Sequence, residues 1–433
     1  MSFVTDLRTV LRGRDFRRLF AVRLVSQAGD GAFQVALASL IFFSPGRAAT
    51  ATGAAAALAA SVLPYTLVGP FAGVLLDRWP RRQVLIAANL LRTLVVLGAA
   101  GLVAGDGVQP ALYVAVLVAL SLNRFFLAGL GASLPHVVPP HELVMANAVS
   151  PTTGTLAAIG GGFAGYGARE ALGVSDRTDA LVLVLAAAAY AGSALLATRM
   201  AANLLGPDRL VERRPAAGLR ALVDGGRHMR RRRPAFDALS AIGLHRFAYG
   251  ISFISTILLC RNYFARPSDV EAGFTLLAAV FAASATGFAV AAVVTPIGST
   301  RWGASGWIWR CFVAAALTEY VLVVRISVPL MLLAAALLGV AAQGSKICVD
   351  AIVQRVIDDD YRGRVFSFYD MVFNLAFVVA AATAALSVPT TGHSPAVYAL
   401  VASLYLGTAL WYRRTSTRRP AHAPGLHDHG GLG

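Results

Sequence analysis

The chain has 433 residues, 57% of them hydrophobic and only 14% charged, with a mean hydropathy of +0.65 and a formal net charge of +16. A soluble protein of this length needs more polar surface to cover its core, so a string of water-exposed globular domains is excluded. The excess of positive charge would suit nucleic acid, but it is confined to a few connecting segments, which argues against such a partner.

The apolar runs predict about twelve membrane-crossing helices, near residues 18–43, 53–77, 82–104, 110–133, 144–170, 179–200, 236–260, 271–296, 304–325, 328–350, 364–388 and 395–413. These are spans 1 to 12 in chain order. Two-residue alternation is absent, which argues against a β-barrel. The first run is too long for a cleavable signal and contains Asp30, so it is expected to remain as a span. Spans 5 and 8 are interrupted by Gly, Thr and Pro, which is tolerated where neighbouring helices cover the backbone.

If the amino terminus lies inside, the inner segments carry about 26 of the 38 basic residues. The largest cluster, Arg227 to Arg233 with Arg209, Arg213, Arg214 and Arg220, lies between spans 6 and 7. That asymmetry predicts both termini on the cytoplasmic side and lipid headgroups, not nucleic acid, as the partner of the basic face. Cys260, Cys311 and Cys348 sit in or beside apolar runs and show no metal spacing.

The one long polar connection divides the chain into about 1–200, a linker at 201–235, 236–414, and a polar tail at 415–433 that carries His422, His427 and His429. Six spans precede the linker and six follow it, which suggests a duplication. The loop after span 2 contains Arg78-Trp79 and the loop after span 8 contains Arg301-Trp302, about 223 residues later. Parallel repeats of this kind place a substrate site near the midplane, between the halves.

The segment Gly73-Val74-Leu75-Leu76-Asp77-Arg78-Trp79-Pro80-Arg81-Arg82 resembles the loop 2–3 signature of the major facilitator superfamily, G-x-L-x-D-R-x-G-R-R/K, with Pro80 in place of the usual glycine. Three further segments resemble the enterobactin-exporter and macrolide-efflux branch of that family: Phe16 to Gly31, Leu134 to Ala148, and Arg362-Gly363-Arg364-Val365-Phe366-Ser367. The resemblance implies an all-α membrane protein with twelve transmembrane helices in two pseudo-symmetric six-helix bundles. It also implies a proton-coupled exporter of small lipophilic or amphiphilic molecules (a drug, siderophore or secondary metabolite) in the bacterial plasma membrane. The proton gradient would be the energy source and no cofactor is expected; the chain is expected to act as a monomer. An importer or flippase of a sugar, organic acid or lysolipid, or a sensor that does not transport, is the alternative. An enzyme is not expected, since HExxH, a Walker lysine and G-x-S-x-G are all missing.

The loop signature makes Gly73, Asp77, Arg78 and Arg81 the candidate gating residues. Gly73 admits a close neighbour, and Asp77 suits the positive end of a facing helix, which the resemblance implies is span 11. In span 5, Gly160-Gly161-Gly162-Phe163-Ala164-Gly165 formally satisfies G-x-G-x-x-G, but no strand–helix unit surrounds it. Gly161 and Gly165 instead read as a close-packing face, and they partly match the exporters' span 5 motif.

Charges at membrane depth are costly and mark functional candidates. Asp30 lies twelve residues past Arg18, roughly 18 Å along span 1, between Gly29 and Gly31, with Gln27 and Gln34 a turn away on either side. Its expected partner is Arg124 of span 4, in a segment similar to the family's span 4 signature, where the arginine serves proton coupling. The pair either exchanges with the proton or locks the two spans statically; Arg23 is the other candidate partner. Arg92, Arg246, Arg310, Glu319, Asp370 and Asn374 are candidates to line the cavity, while Lys346 and Asp350 read as a local i, i+4 pair. Phe125, Phe126, Phe247, Tyr249 and Phe373 could form an aromatic wall.

Overall fold

The computed structural model describes residues 3–42, 79–106, 110–173, 175–206, 219–265 and 270–417. Span 2, with Gly73, Asp77 and Arg78, lies outside the described residues, as does most of the carboxyl-terminal tail. Every regular element among the described residues is helical.

The chain opens with a short amphipathic helix, α1 (Phe3–Arg12), followed by α2 (Arg14–Phe42), α3 (Arg81–Asp106), α4 (Pro110–Ser133), α5 (Leu143–Leu172) and α6 (Asp176–Thr198). A second short helix, α7 (Leu219–Arg231), occupies part of the basic linker and leads into α8 (Arg233–Leu258), which a π-helical turn, Leu259–Phe264, prolongs. Then come α9 (Val270–Val324), α10 (Val328–Val356), α11 (Asp359–Ser387) and α12 (Pro395–Thr417). Among the described residues, eight helices are long and apolar enough to cross a membrane. Large apolar side chains such as Leu94, Leu195, Leu317 and Leu386 point outward, as a lipid-facing surface requires.

Helix ends follow local chemistry. Ser175 caps α6 by accepting a hydrogen bond from the Thr178 amide at 3.2 Å, and Asp176 and Asp179 complement its positive end. The predicted spans 8 and 9 form the single run α9, interrupted only at Gly303, whose φ of 72° and ψ of 158° no helix contains. A glycine there adopts the positive φ that a side chain would strain, and the chain kinks at that residue. The linker differs from the expected unbroken polar connection, because Gly225 of α7 packs against Arg364 of α11.

The buried apolar side chains gather mainly around α2–α6, including Leu85, Val96, Phe126 and Leu183, and around α8–α12, including Ile242, Phe312, Val349 and Tyr405. Within the first group the backbones of α2 and α5 touch. A side chain at Gly31 would strike the Ala158 carbonyl, and one at Gly161 would strike the Ala28 carbonyl. Glycine permits this approach and dispersion contacts over the length of both helices reward it. Gly165 lies against Ala32 and Val182.

Candidate functional site

Asp30 sits midway along α2 with only 4% of its surface exposed. A carboxylate so enclosed persists only if its oxygens are occupied. The guanidinium of Arg92, from α3, forms an ion pair with Oδ1; the Tyr190 hydroxyl, from α6, donates to the same oxygen at 3.0 Å; and Gln27 donates to Oδ2 at 2.6 Å. Arg92 lies over the Tyr190 ring, 3.8 Å from its centroid, and donates to Ser26 at 3.1 Å and to Asn89 at 3.3 Å. Asn89 in turn donates to Ser193 at 2.9 Å, which donates to the Val22 carbonyl at 2.7 Å. The result is a buried polar triangle tying α2, α3 and α6 together.

This geometry differs from the Asp30–Arg124 pair expected from the sequence. Arg92, placed among the cavity candidates, holds the carboxylate directly. Arg124 is only partly buried, and the charges of Asp370 and Asp30 act on it. The sequence reading also missed Tyr190, Asn89, Ser26 and Ser193. Two weak signals mark them: Asn89 and Arg92 share a face of α3 by their i, i+3 spacing, and Tyr190 is the lone large polar group in an alanine run.

A second polar centre joins the two groups of helices at the end of the molecule that carries the basic segments. Arg81, the first residue of α3, is completely buried. It donates to Asp359 Oδ1 at 2.9 Å and to the Asp359 carbonyl at 3.2 Å, across 278 positions of sequence. It also donates to the carbonyls of Ala132 at 3.1 Å and Leu205 at 3.2 Å. Asp359 opens α11, where a carboxylate complements the helix dipole, and it also pairs with Arg362 and lies 3.5 Å from His136. Beside this cluster, Asn147 of α5 donates to Gln354 of α10 at 2.5 Å. Gln354 donates back to Asn147 at 3.3 Å and to the Gly131 carbonyl at 3.0 Å. Asn147 falls inside a segment that the sequence reading singled out; Gln354 and Asp359 carried no signal.

The remaining candidates divide. Lys346 and Asp350 form the expected local pair at 2.6 Å, and Lys346 lies 5.4 Å from the Tyr369 ring. Asp370 is exposed, with Lys346, Arg124 and Asp350 as its charged neighbours, and Asn374 donates to the Asp370 carbonyl at 2.7 Å. Arg23 reaches Ser150 at 3.4 Å and feels the charge of Asp350. Gln34 is exposed. Arg310 is held apart from these groups: it donates to the Gly306 carbonyl at 2.8 Å and covers Trp309 and Trp302. Glu319 is fully buried and accepts from Ser252 at 2.6 Å. Arg246 lies among the rings of Tyr249, Phe373 and Phe377. No group of His, Cys, Asp or Glu among the described residues could hold a metal ion.

The comparisons with known proteins agree on the family. The profile described as Major Facilitator Superfamily matches residues 19–318 and 268–430. An MFS-type transporter of Mycobacterium tuberculosis is 36% identical over 407 residues, covering 92% of this chain and 90% of the relative; the Mycobacterium bovis protein matches equally. Among solved structures, a bacterial homologue of the iron transporter ferroportin in its outward-facing state superposes with a TM-score of 0.70 at 19% identity, covering 93% of this chain and 99% of the other. The Escherichia coli fucose:proton symporter gives a TM-score of 0.67 at 13% identity, with coverages of 92% and 98%. The proton:xylose symporter gives 0.62 at 13% identity, with coverages of 92% and 96%. At these identities the structures speak for the fold, while the mycobacterial relatives and the family profile speak for descent. The chain is a multi-pass, all-helical membrane transporter and belongs to the Major Facilitator Superfamily.

Proposed function

We propose that the protein is a proton-coupled exporter of small lipophilic or amphiphilic molecules in the bacterial plasma membrane, working by alternating access between two six-helix bundles with both termini in the cytoplasm. The observation that carries the coupling is Asp30, a carboxylate at mid-depth enclosed by Arg92, Tyr190 and Gln27. A proton arriving on that carboxylate removes its charge and leaves Arg92 without its counter-ion, so the contacts among α2, α3 and α6 must rearrange. That two structural neighbours are proton symporters supports the choice of ion. The junction at the basic end supports alternating access: Arg81–Asp359 and Asn147–Gln354 are polar contacts that can open into water without exposing an apolar core. Export rests on the resemblance of the Asp30, Gly161 and Arg362 segments to efflux proteins, and the charge of the basic linker supports a cytoplasmic location for that end.

Everted vesicles carrying the protein provide the test, with accumulation of lipophilic dyes and drugs followed under an imposed proton gradient. Uptake that collapses with the gradient is expected, as is its loss in Asp30→Asn. Uptake unaffected by a protonophore, or normal coupled uptake by Asp30→Asn, would overturn the reading. If Asp30→Asn does not fold while Asp30→Asn/Arg92→Gln folds and still shows proton-driven uptake, the triangle is a structural lock.

A further inference from the structure

Arg246 is one of several arginines enclosed by the helices. Arg81, Arg92, Arg169 and Arg362 each meet a carboxylate, of Asp359, Asp30, Asp179 and Asp359 respectively. Arg246, thirteen residues into α8, meets none among the described residues, and it also lacks there the hydrogen bond that Arg23 and Arg310 each make to a hydroxyl or a carbonyl. Its Nε is buried without a partner, as are those of Arg81 and Arg92, and the rings of Tyr249, Tyr405 and Tyr369 lie near its guanidinium. Rings take the place of an anion: its central carbon lies 4.4 Å from the Phe373 centroid, 4.5 Å from Phe377 and 5.6 Å from Tyr249. Ring faces attract a cation, but they return only part of what dehydrating a guanidinium costs and fill none of its hydrogen-bond positions.

The aromatic surface does not stop at the arginine. Phe253 packs against Phe377 with centroids 5.6 Å apart and stacks on Phe281 at 5.9 Å. Tyr249, Phe253 and Phe281 then line one open cleft with Ser252 and Leu338, between α8, α9 and α10. Tyr249 is common to the cleft and to the surroundings of Arg246. A bidentate cation at the edge of an aromatic cleft is complementary to a molecule with a flat apolar body and a carboxylate, sulfonate or phosphate at one end.

We propose that Arg246 and this aromatic cleft form a binding site for amphiphilic anions, which narrows the substrate class of the transport reading on which it rests. The anion completes the guanidinium's hydrogen bonds, and the apolar body covers Tyr249 and Phe253. A cation of the same shape meets Arg246 as a like charge and is rejected.

The probes are 8-anilinonaphthalene-1-sulfonate and N-phenyl-1-naphthylamine, which share a ring system and differ by the sulfonate. Binding is followed by fluorescence to the full chain in phosphatidylcholine nanodiscs, with empty nanodiscs subtracted. The anionic probe is expected to bind saturably and at least about tenfold more tightly than the neutral one, and Arg246→Gln to abolish that preference while leaving the neutral probe unchanged. Arg246→Lys keeps the charge without the planar fork and is expected to retain part of the preference. Equal affinities of the two probes for the unsubstituted protein would overturn the proposal even if Arg246→Gln failed to fold, as would an unchanged preference in a folded Arg246→Gln. The assay needs no flux. Lost transport with the preference intact strikes the transport reading, and transport with equal probe affinities strikes this proposal alone.

Discussion

At Gly161 a single hydrogen atom decides whether two helices can meet. A methyl group there is driven into the Ala28 carbonyl, and neither backbone can give way as a flexible side chain would. Overpacking in a tight interior costs about 1–3 kcal/mol, so Gly161→Ala is expected to lower the thermal midpoint of the purified protein markedly. Gly160→Ala, which meets open space, is the control. Equal midpoints for the two variants would show that α2 and α5 do not touch as described. This close approach was legible in the sequence because Gly161 and Gly165 are four residues apart and need no knowledge of rotation. The partner of Asp30 was not legible. Each residue turns a helix by about 100°, so whether Arg92 of α3 or Arg124 of α4 faces the carboxylate depends on rotations that the packing of Tyr190 and Ser193 settles. Hydropathy marks such a charge as buried without saying which neighbour neutralises it.

Whole elements were read best where they are apolar and worst where they are amphipathic. Apart from α7, the helices from α3 to α12 begin and end within about six residues of their expected positions, since a run of about 20 apolar residues has few alternatives. Hydropathy puts a loop between spans 8 and 9, yet the break is one residue, Gly303, and no composition window resolves one residue. Helix α7 went unseen because its charges read as linker. Its docking has a chemical handle: the His228 ring stacks on Tyr361 of α11 with centroids 4.1 Å apart and planes 2° from parallel. Burial pushes the His228 imidazole below its ordinary value of 6.5, and Arg232, Arg364 and Arg231 add to the shift against the opposing pull of Asp358. The neutral ring therefore belongs to the docked state, and its contribution is complete above pH 6.5. It is lost as the pH falls below that value, because the undocked ring takes up the proton first. Amide exchange of residues 219–231, corrected for the intrinsic pH dependence of the chemistry, is expected to accelerate between about pH 7.5 and about pH 5.5. His228→Phe keeps the stacking and cannot titrate, so its corrected rates should stay level. Level rates in the unsubstituted chain would show that α7 is held by other contacts.

For the molecule as a whole, the question is what keeps the basic end shut. Arg81 was legible as part of a loop signature, but its acceptors come from 132, 205 and 359, three connections that nothing in the sequence ties together. Conformers of an alternating-access protein differ by a few kcal/mol, with the minor state at about 0.1–10% of molecules. Removing one partner of a buried ion pair costs about 3–5 kcal/mol, and the lower figure applies here because Arg81 keeps its carbonyl acceptors. A loss of that size, borne only by the closed arrangement, is enough to invert the populations. Asp359→Asn is therefore expected to favour opening between α3 and α10 at this end. Spin labels at Trp79 and Arg355, both exposed, would report it in a background whose three cysteines are replaced. Electron–electron distances between them should lengthen and broaden in Asp359→Asn, while Arg18→Gln, which removes only a surface pair with Asp15, should leave them unchanged. If the distances do not move, Arg81–Asp359 holds the fold and not the gate, and the opening of this end must turn on Asn147 and Gln354.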